Sequence, residues 1–114
     1  MNIGELIELT GAKNMVPEAS LDTEVTCGYT CDLLSWVMAH GEEGLAWVTV
    51  QTHLNVVAVA ALSEMACVVL PEEIIMEPES LEKATAEGLS VLTSALTAYE
   101  ICGRMAGQGV PAHG

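Results

Sequence analysis

Apolar positions in this chain come in short blocks whose period changes from one block to the next. Ile3, Leu6, Ile7 and Leu9 lie close to helical spacing and Gly11 follows as a stop, which predicts a short first helix. After a turn at Pro17, Val25, Cys27 and Tyr29 alternate with other residues over 24–29, the period of a strand. Leu33, Leu34, Trp36, Val37 and Met38 then give a helix from Cys31 to about His40 a broad apolar face. Thr30 is its expected cap, Asp32 favours its first turn, His40 suits its last, and Gly41 is the expected left-handed exit.

From Leu45 onward the pattern is regular. Residues 45–50 read as a strand, His53 to about Glu64 as a helix, and the continuously apolar 66–70 as a buried strand. Pro78 and Gly88 stand where a first helical residue and a residue just past a helix belong, with Leu81, Ala84 and Thr85 as a thin inward stripe between them. Residues 89–92 read as a further strand, and Thr93 or Ser94 as the cap of a last helix through Met105. Strand and helix alternating through short loops predict an α/β protein: a small single domain with a mostly parallel sheet built from βαβ units and flanking helices. That domain is expected over residues 1–106, with 107–114 a flexible tail. The helix after Gln51 is apolar almost all round, so it is either central or shared with another subunit, and Ala58, Ala60 and Ala61 allow close approach. A homodimer built on this helix or on the Trp36 helix is the corresponding expectation.

Composition narrows the picture. Hydrophobic residues make up 51% of the 114, but Phe is absent and aromatics are 4%, so Val, Leu, Ile, Ala and Met must fill the core. No apolar run approaches the ~20 residues needed to span a bilayer. Met1 to Glu5 lack the basic start and apolar block of a signal peptide, and a cytoplasmic protein is expected. The net charge is −13, with Lys13, Lys83 and Arg104 as the only Lys or Arg residues. Phosphate backbones and anionic membrane surfaces would be repelled, so no nucleic acid and no membrane partner is expected. A basic protein or a cation fits this charge, as does simple solubility.

Candidate chemistry is sparse. Gln51, Thr52, His53 and Asn55 lie where a strand hands over to a helix N-terminus, a point suited to anions or small ligands. The structural alternative is that Thr52 caps the helix while His53 and Asn55 satisfy local backbone groups. Asp32 and His53 would form an acid–base pair if both helix starts share one edge of the sheet. Cys27, Cys31, Cys67 and Cys102 do not follow metal-knuckle or redox-motif spacing; they would hold a metal or an iron–sulfur cluster only if the fold gathers them. Cys31, at an expected helix start, is the candidate reactive thiol. His40 and His113 complete no metal pattern, and Glu72, Glu73, Glu77 and Glu79 read as a solvated loop. No phosphate-binding loop, dinucleotide fingerprint or nucleophile elbow is present.

Two strings together are more specific. Gly28-Tyr29-Thr30-Cys31-Asp32-Leu33-Leu34-Ser35 and Gln51-Thr52-His53-Leu54-Asn55-Val56-Val57-Ala58-Val59-Ala60 resemble the small stand-alone proteins of the DRTGG-domain family, over nearly the whole chain. The resemblance implies an α/β domain similar to the N-terminal domain of HPr kinase/phosphorylase, with a tendency to form homodimers. It also implies a regulatory or ligand-sensing part, since larger relatives carry such domains beside CBS or phosphotransacetylase domains. Some stand-alone members are described as iron–sulfur binding hydrogenases, which gives an alternative: an iron–sulfur or redox accessory protein of a hydrogenase system, with Cys27, Cys31, Cys67 and Cys102 as cluster ligands. The family offers no catalytic residues to carry over. Leu70-Pro71-Glu72-Glu73 departs from the Gly-rich turn common in relatives, which tells against a phosphate cradle in that loop. The expected function is a non-catalytic regulatory or accessory module acting through a homodimer. Its small ligand or nucleotide would be held by Gly28, Tyr29, Asp32, Gln51, Thr52, His53 and Asn55.

Overall fold

The short apolar blocks become four-residue strands covered on both faces by helices in a computed structural model, which describes residues 1–113. In chain order the elements are α1 (Ile3–Thr10), β1 (Lys13–Asn14), β2 (Cys27–Thr30), α2 (Leu34–His40) and β3 (Leu45–Val48). They continue with α3 (Leu54–Leu62), β4 (Cys67–Leu70), α4 (Pro78–Glu87), β5 (Ser90–Thr93) and α5 (Ala98–Gly107). The sheet order is β1-β5-β4-β3-β2, with β2 to β5 parallel and β1 antiparallel at the edge. This is the expected α/β architecture with a mostly parallel sheet.

Each parallel step moves the same way across the sheet, so α2, α3 and α4 stack side by side on one face while α1 and α5 cover the other. Strands with helices on both faces must be apolar on both, and β3, β4 and β5 are buried throughout. Leu45, Trp47, Val68, Leu70 and Val91 join the core under α2–α4, and the alternate residues Ala46, Val48, Cys67, Val69 and Leu92 join the core under α1 and α5. The all-round apolar helix α3 is central: it lies between α2 and α4 and buries Val56, Val57, Val59 and Ala60. No helix among the described residues is long and apolar enough to cross a membrane.

Several boundaries fall elsewhere than the local pattern suggests, each for a tertiary reason. β2 begins at Cys27 because the preceding residues pair with the N-terminus: Asn2 and Glu24 form an antiparallel bridge, and Val25 N donates to Met1 O at 2.7 Å. β1, which carries no periodic signal, exists through its pairing of Lys13 with Thr93 and Asn14 with Leu92. α2 starts three residues later than expected. Cys31 N donates to Val48 O at 3.3 Å and Trp47 Nε1 donates to Cys31 O at 2.8 Å, which keeps Cys31 extended along β3. Leu33, not Thr30, takes the N-cap position and makes no side-chain cap.

Gly41 does not make the expected left-handed exit; its φ is −63°. Space is what it supplies, since a Cβ there would lie 2.7 Å from Met65 Cε and 2.9 Å from Ser63 Oγ. Helix α4 buries Ser80 and Ala84, while Leu81 is half-buried and Thr85 faces out, its Oγ1 donating to Leu81 O at 2.9 Å. Helix α5 is capped by Thr97 in a capping box with Glu100, not by Thr93 or Ser94. Ser94 is used across the fold, its Oγ donating to Thr10 O at 2.9 Å. Beyond α5 the chain returns to the outer edge of β2: Gly28 N donates to Pro111 O at 2.8 Å and His113 N donates to Gly28 O at 3.2 Å.

Candidate functional site

Parallel strands place their following loops on one edge of a sheet, where α/β proteins commonly bind ligands. Here Asp32 laces two of those loops together. One carboxylate oxygen accepts from Thr49 Oγ1 at 2.8 Å and from Val50 N at 2.9 Å, and the Asp32 carbonyl accepts from Gln51 Nε2 at 2.9 Å. Thr49 Oγ1 in turn accepts from Gln51 N at 3.2 Å. β3 therefore ends at Val48, short of the expected Val50, because the next polar groups are turned toward Asp32.

Thr52 does not cap α3. Its Oγ1 donates to Glu77 Oε2 at 3.2 Å, and its carbonyl accepts from Ser80 Oγ at 2.9 Å and Glu77 N at 3.2 Å, which ties the loop to the start of α4. His53 occupies the N-cap position of α3 without a side-chain cap, and Asn55 is exposed on the first turn. Asp32 is bonded to Thr49, Val50 and Gln51, not to His53, so the imagined acid–base pair does not form. The strands from β2 to β5 advance without reversal, so no switch point opens a crevice between neighbouring loops.

Gly28 and Tyr29 lie elsewhere. With Cys102 and Met105 of α5 and Val110 and His113 of the returning chain, they wall a cavity of about 330 Å³ that Asp32, Gln51, Thr52, His53 and Asn55 do not line. At Gly28 the backbone runs close to α5, since a Cβ there would lie 3.3 Å from Met105 Cε, while both backbone groups hold the 111–113 segment. Aromatic rings run from the cavity to α2. Tyr29 meets His113 edge-on at 4.0 Å between centroids, His113 lies 6.2 Å from His40, and His40 stacks on Trp36 at 4.5 Å. Burial, with the neighbouring Cys31 thiol, pushes the Tyr29 phenol above its ordinary value, which already leaves a phenol protonated at neutral pH. Cys102 and Met105 share a helix face by their spacing, but nothing local marks His113, which read as a tail residue.

The four cysteines are not brought together. Cys27 is buried on the α2–α4 side of the sheet, whereas Cys67 is buried on the opposite side. Burial raises the Cys27 and Cys102 thiols and pushes Cys67 up to about 12, which disfavours thiolates at all three positions. Cys31 lies ahead of α2, not in its first turn, so the helix-dipole argument for its reactivity lapses. No group of three or more His, Cys, Asp or Glu placed to hold a metal ion occurs among the described residues.

No family model matches the chain, and no curated protein matches it in sequence. In three dimensions it is similar to the CBS and DRTGG domains of the regulatory region of Clostridium perfringens pyrophosphatase, solved in complex with the activator diadenosine tetraphosphate. The TM-score is 0.72 at 10% sequence identity, over 96% of this chain and 47% of that one. The chain thus spans about half of that neighbour's length. At this identity the likeness is one of fold, a fold shared with a CBS and DRTGG regulatory region.

Proposed function

We propose that this chain is a DRTGG-like, non-catalytic regulatory or accessory module that binds a small ligand between β2, α5 and the returning segment 110–113. The observation that carries the reading is the cavity of about 330 Å³ walled by Gly28, Tyr29, Met105 and His113. Its size falls in the ~300–1,000 Å³ range of small-molecule sites. Apolar walls beside a protonated phenol and an imidazole suit a flat heteroaromatic group, which stacks or meets rings edge-on and takes one or two directed hydrogen bonds. A nucleoside or nucleotide is the first class to test, because the structural neighbour was solved with a dinucleotide activator. With a net charge of −13, the phosphates of a nucleotide would remain at the mouth, in solvent. The Asp32–Thr49–Gln51 network then serves as a rigid frame. The homodimer belongs to the same proposal: Leu33, Trp36 and Met38 of the α2 region are 62%, 54% and 57% exposed, an apolar surface suited to a second copy.

The test is titration of ¹⁵N-labelled protein with adenosine, AMP and diadenosine tetraphosphate. Shifts should appear at Gly28, Tyr29, Met105 and Val110, and Gly28→Val, which fills the cavity, should weaken binding at least about tenfold, ~1.4 kcal/mol. Shifts confined to other residues, or unchanged affinity in a folded Gly28→Val variant, would sink the reading.

A further inference from the structure

A second cavity, of about 430 Å³, lies at the other end of the sheet, lined by Lys13, Met15, Glu73, Ile75, Thr93 and Ala95 among others. Lys13 and Thr93 are directly paired across β1 and β5, so their side chains leave the sheet on the same side. Met15, two residues on from Lys13, packs on the core beneath α2–α4, which places this group on that face. The loop after β4 stands over it. Glu72 N donates to Leu96 O and Glu73 N to Ser94 O, both at 2.8 Å, which docks the loop on the β5–α5 connection and brings Glu73 and Ile75 to the cavity wall.

Two side-chain polar groups here make no hydrogen bond or ion pair among the described residues. Thr93 is 7% exposed, and its Oγ1 is a buried side-chain polar atom with no hydrogen-bond partner among the described residues. Leaving such a hydroxyl unpaired costs on the order of 1–3 kcal/mol, so a partner that completes it is favoured. Lys13 is the other. Among the described residues Lys83 pairs with Glu87 at 3.3 Å and Arg104 donates to Leu9 O at 3.0 Å, but the Lys13 side chain makes no ion pair or hydrogen bond. Lys13 is exposed, so its ammonium is free to meet a carboxylate that also reaches the unsatisfied Thr93 hydroxyl.

Glu73 in the same wall decides the class. It would repel a simple anion, and the net charge of −13 would add to that repulsion at longer range. It would equally attract an ammonium group. Met15, Ile75 and Ala95 leave the remaining wall apolar, with Ile75 64% exposed until something covers it. We infer that this cavity is a binding site for a zwitterionic α-amino acid with an aliphatic side chain. The carboxylate would meet Lys13 and the Thr93 hydroxyl, the ammonium Glu73, and the side chain Met15 and Ile75. Such a ligand carries no net charge, so the acidic field does not oppose its approach. The site is independent of the β2–α5 cavity.

The test titrates ¹⁵N-labelled full-length protein with L-leucine, L-isoleucine, L-valine and L-methionine. In parallel it uses 4-methylpentanoate and 3-methylbutylamine, which keep the apolar body of leucine but only one of its two charges. At least one amino acid should shift the amides of Lys13, Met15, Ile75, Thr93 and Ala95 while leaving Gly28 and Tyr29 unmoved, and both half-ligands should bind at least about tenfold more weakly. Thr93→Val, which preserves shape and removes only the hydroxyl, and Lys13→Met should each weaken the amino acid by a similar factor. Absence of shifts with all four amino acids overturns the inference. So does equal binding of the half-ligands, or unchanged affinity in both variants with their spectra still dispersed.

Discussion

At Asp32 one carboxylate oxygen accepts hydrogen bonds from a buried hydroxyl, Thr49 Oγ1, and from the Val50 amide, and so holds the β2–α2 and β3–α3 loops in register. Removing the carboxylate leaves Thr49, only 2% exposed, with a hydroxyl that must find another acceptor. Asp32→Ala should therefore lower stability by about 1–3 kcal/mol in urea unfolding, whereas Asp32→Asn, which keeps an acceptor oxygen in place, should lose less. Equal losses in the two variants would mean that charge, not the acceptor geometry, holds the loops. The chain advertises Asp32 as a helix N-terminal residue, and its role in the fold is different because Cys31 stays bonded to β3 and α2 begins only at Leu34. The same displacement removes the dipole argument for Cys31.

Among the elements, α1 and α5 are closed locally and α2 and α3 are not. Asn2 with Glu5 and Thr97 with Glu100 form capping boxes, while Leu33 and His53 take N-cap positions without side-chain bonds. Thr97→Ala should cost about 1 kcal/mol of stability, read as a fall in Tm. Its pH dependence carries the sign of a lowered carboxylate. Thr97, through its backbone and then its side chain, holds the Glu100 carboxyl below its ordinary value of 4.5. The stability Glu100 contributes is thus present above that value and is lost as the pH falls through the lower folded value. Thr97→Ala keeps the backbone N–H and should flatten this acid limb only in part, whereas Glu100→Gln should remove it. A limb unchanged in Glu100→Gln would assign the effect to another group. The positions Gly11 and Gly88 were legible because each ends its helix in the left-handed region, at φ 65° and 68°, a purely local requirement. The start of α5 was not, because Ser94, which looks like a cap, is engaged with Thr10.

For the whole molecule, association turns on two opposed terms. The α2 region offers exposed Leu33, Trp36 and Met38 to a second copy, but two copies each bearing −13 repel one another. Salt screens that repulsion over roughly 8–10 Å at 0.1–0.15 M without weakening apolar burial. The proposed homodimer should therefore grow with ionic strength in light scattering coupled to size exclusion, and Trp36→Glu should leave a monomer at every salt concentration. A dimer that weakens with salt, or survives Trp36→Glu, would move the interface away from α2.

What the chain determined by itself is what depends on neighbours within about a turn: the alternation of strand and helix, the unbroken apolar strands, the helix stops at Gly11 and Gly88, and from these the α/β class. Residue contacts across the sequence decided the rest. β1 exists because Lys13 meets Thr93, the cavity at Gly28 because Pro111 and His113 return to it, and the loop frame because Asp32 reaches Thr49 and Val50. Arg104 reaches Leu9 across 95 residues, and Ser94 reaches Thr10 across 84. A hydrogen bond between such residues leaves no period in the sequence, because its two ends are set by different local patterns and joined only when the sheet closes.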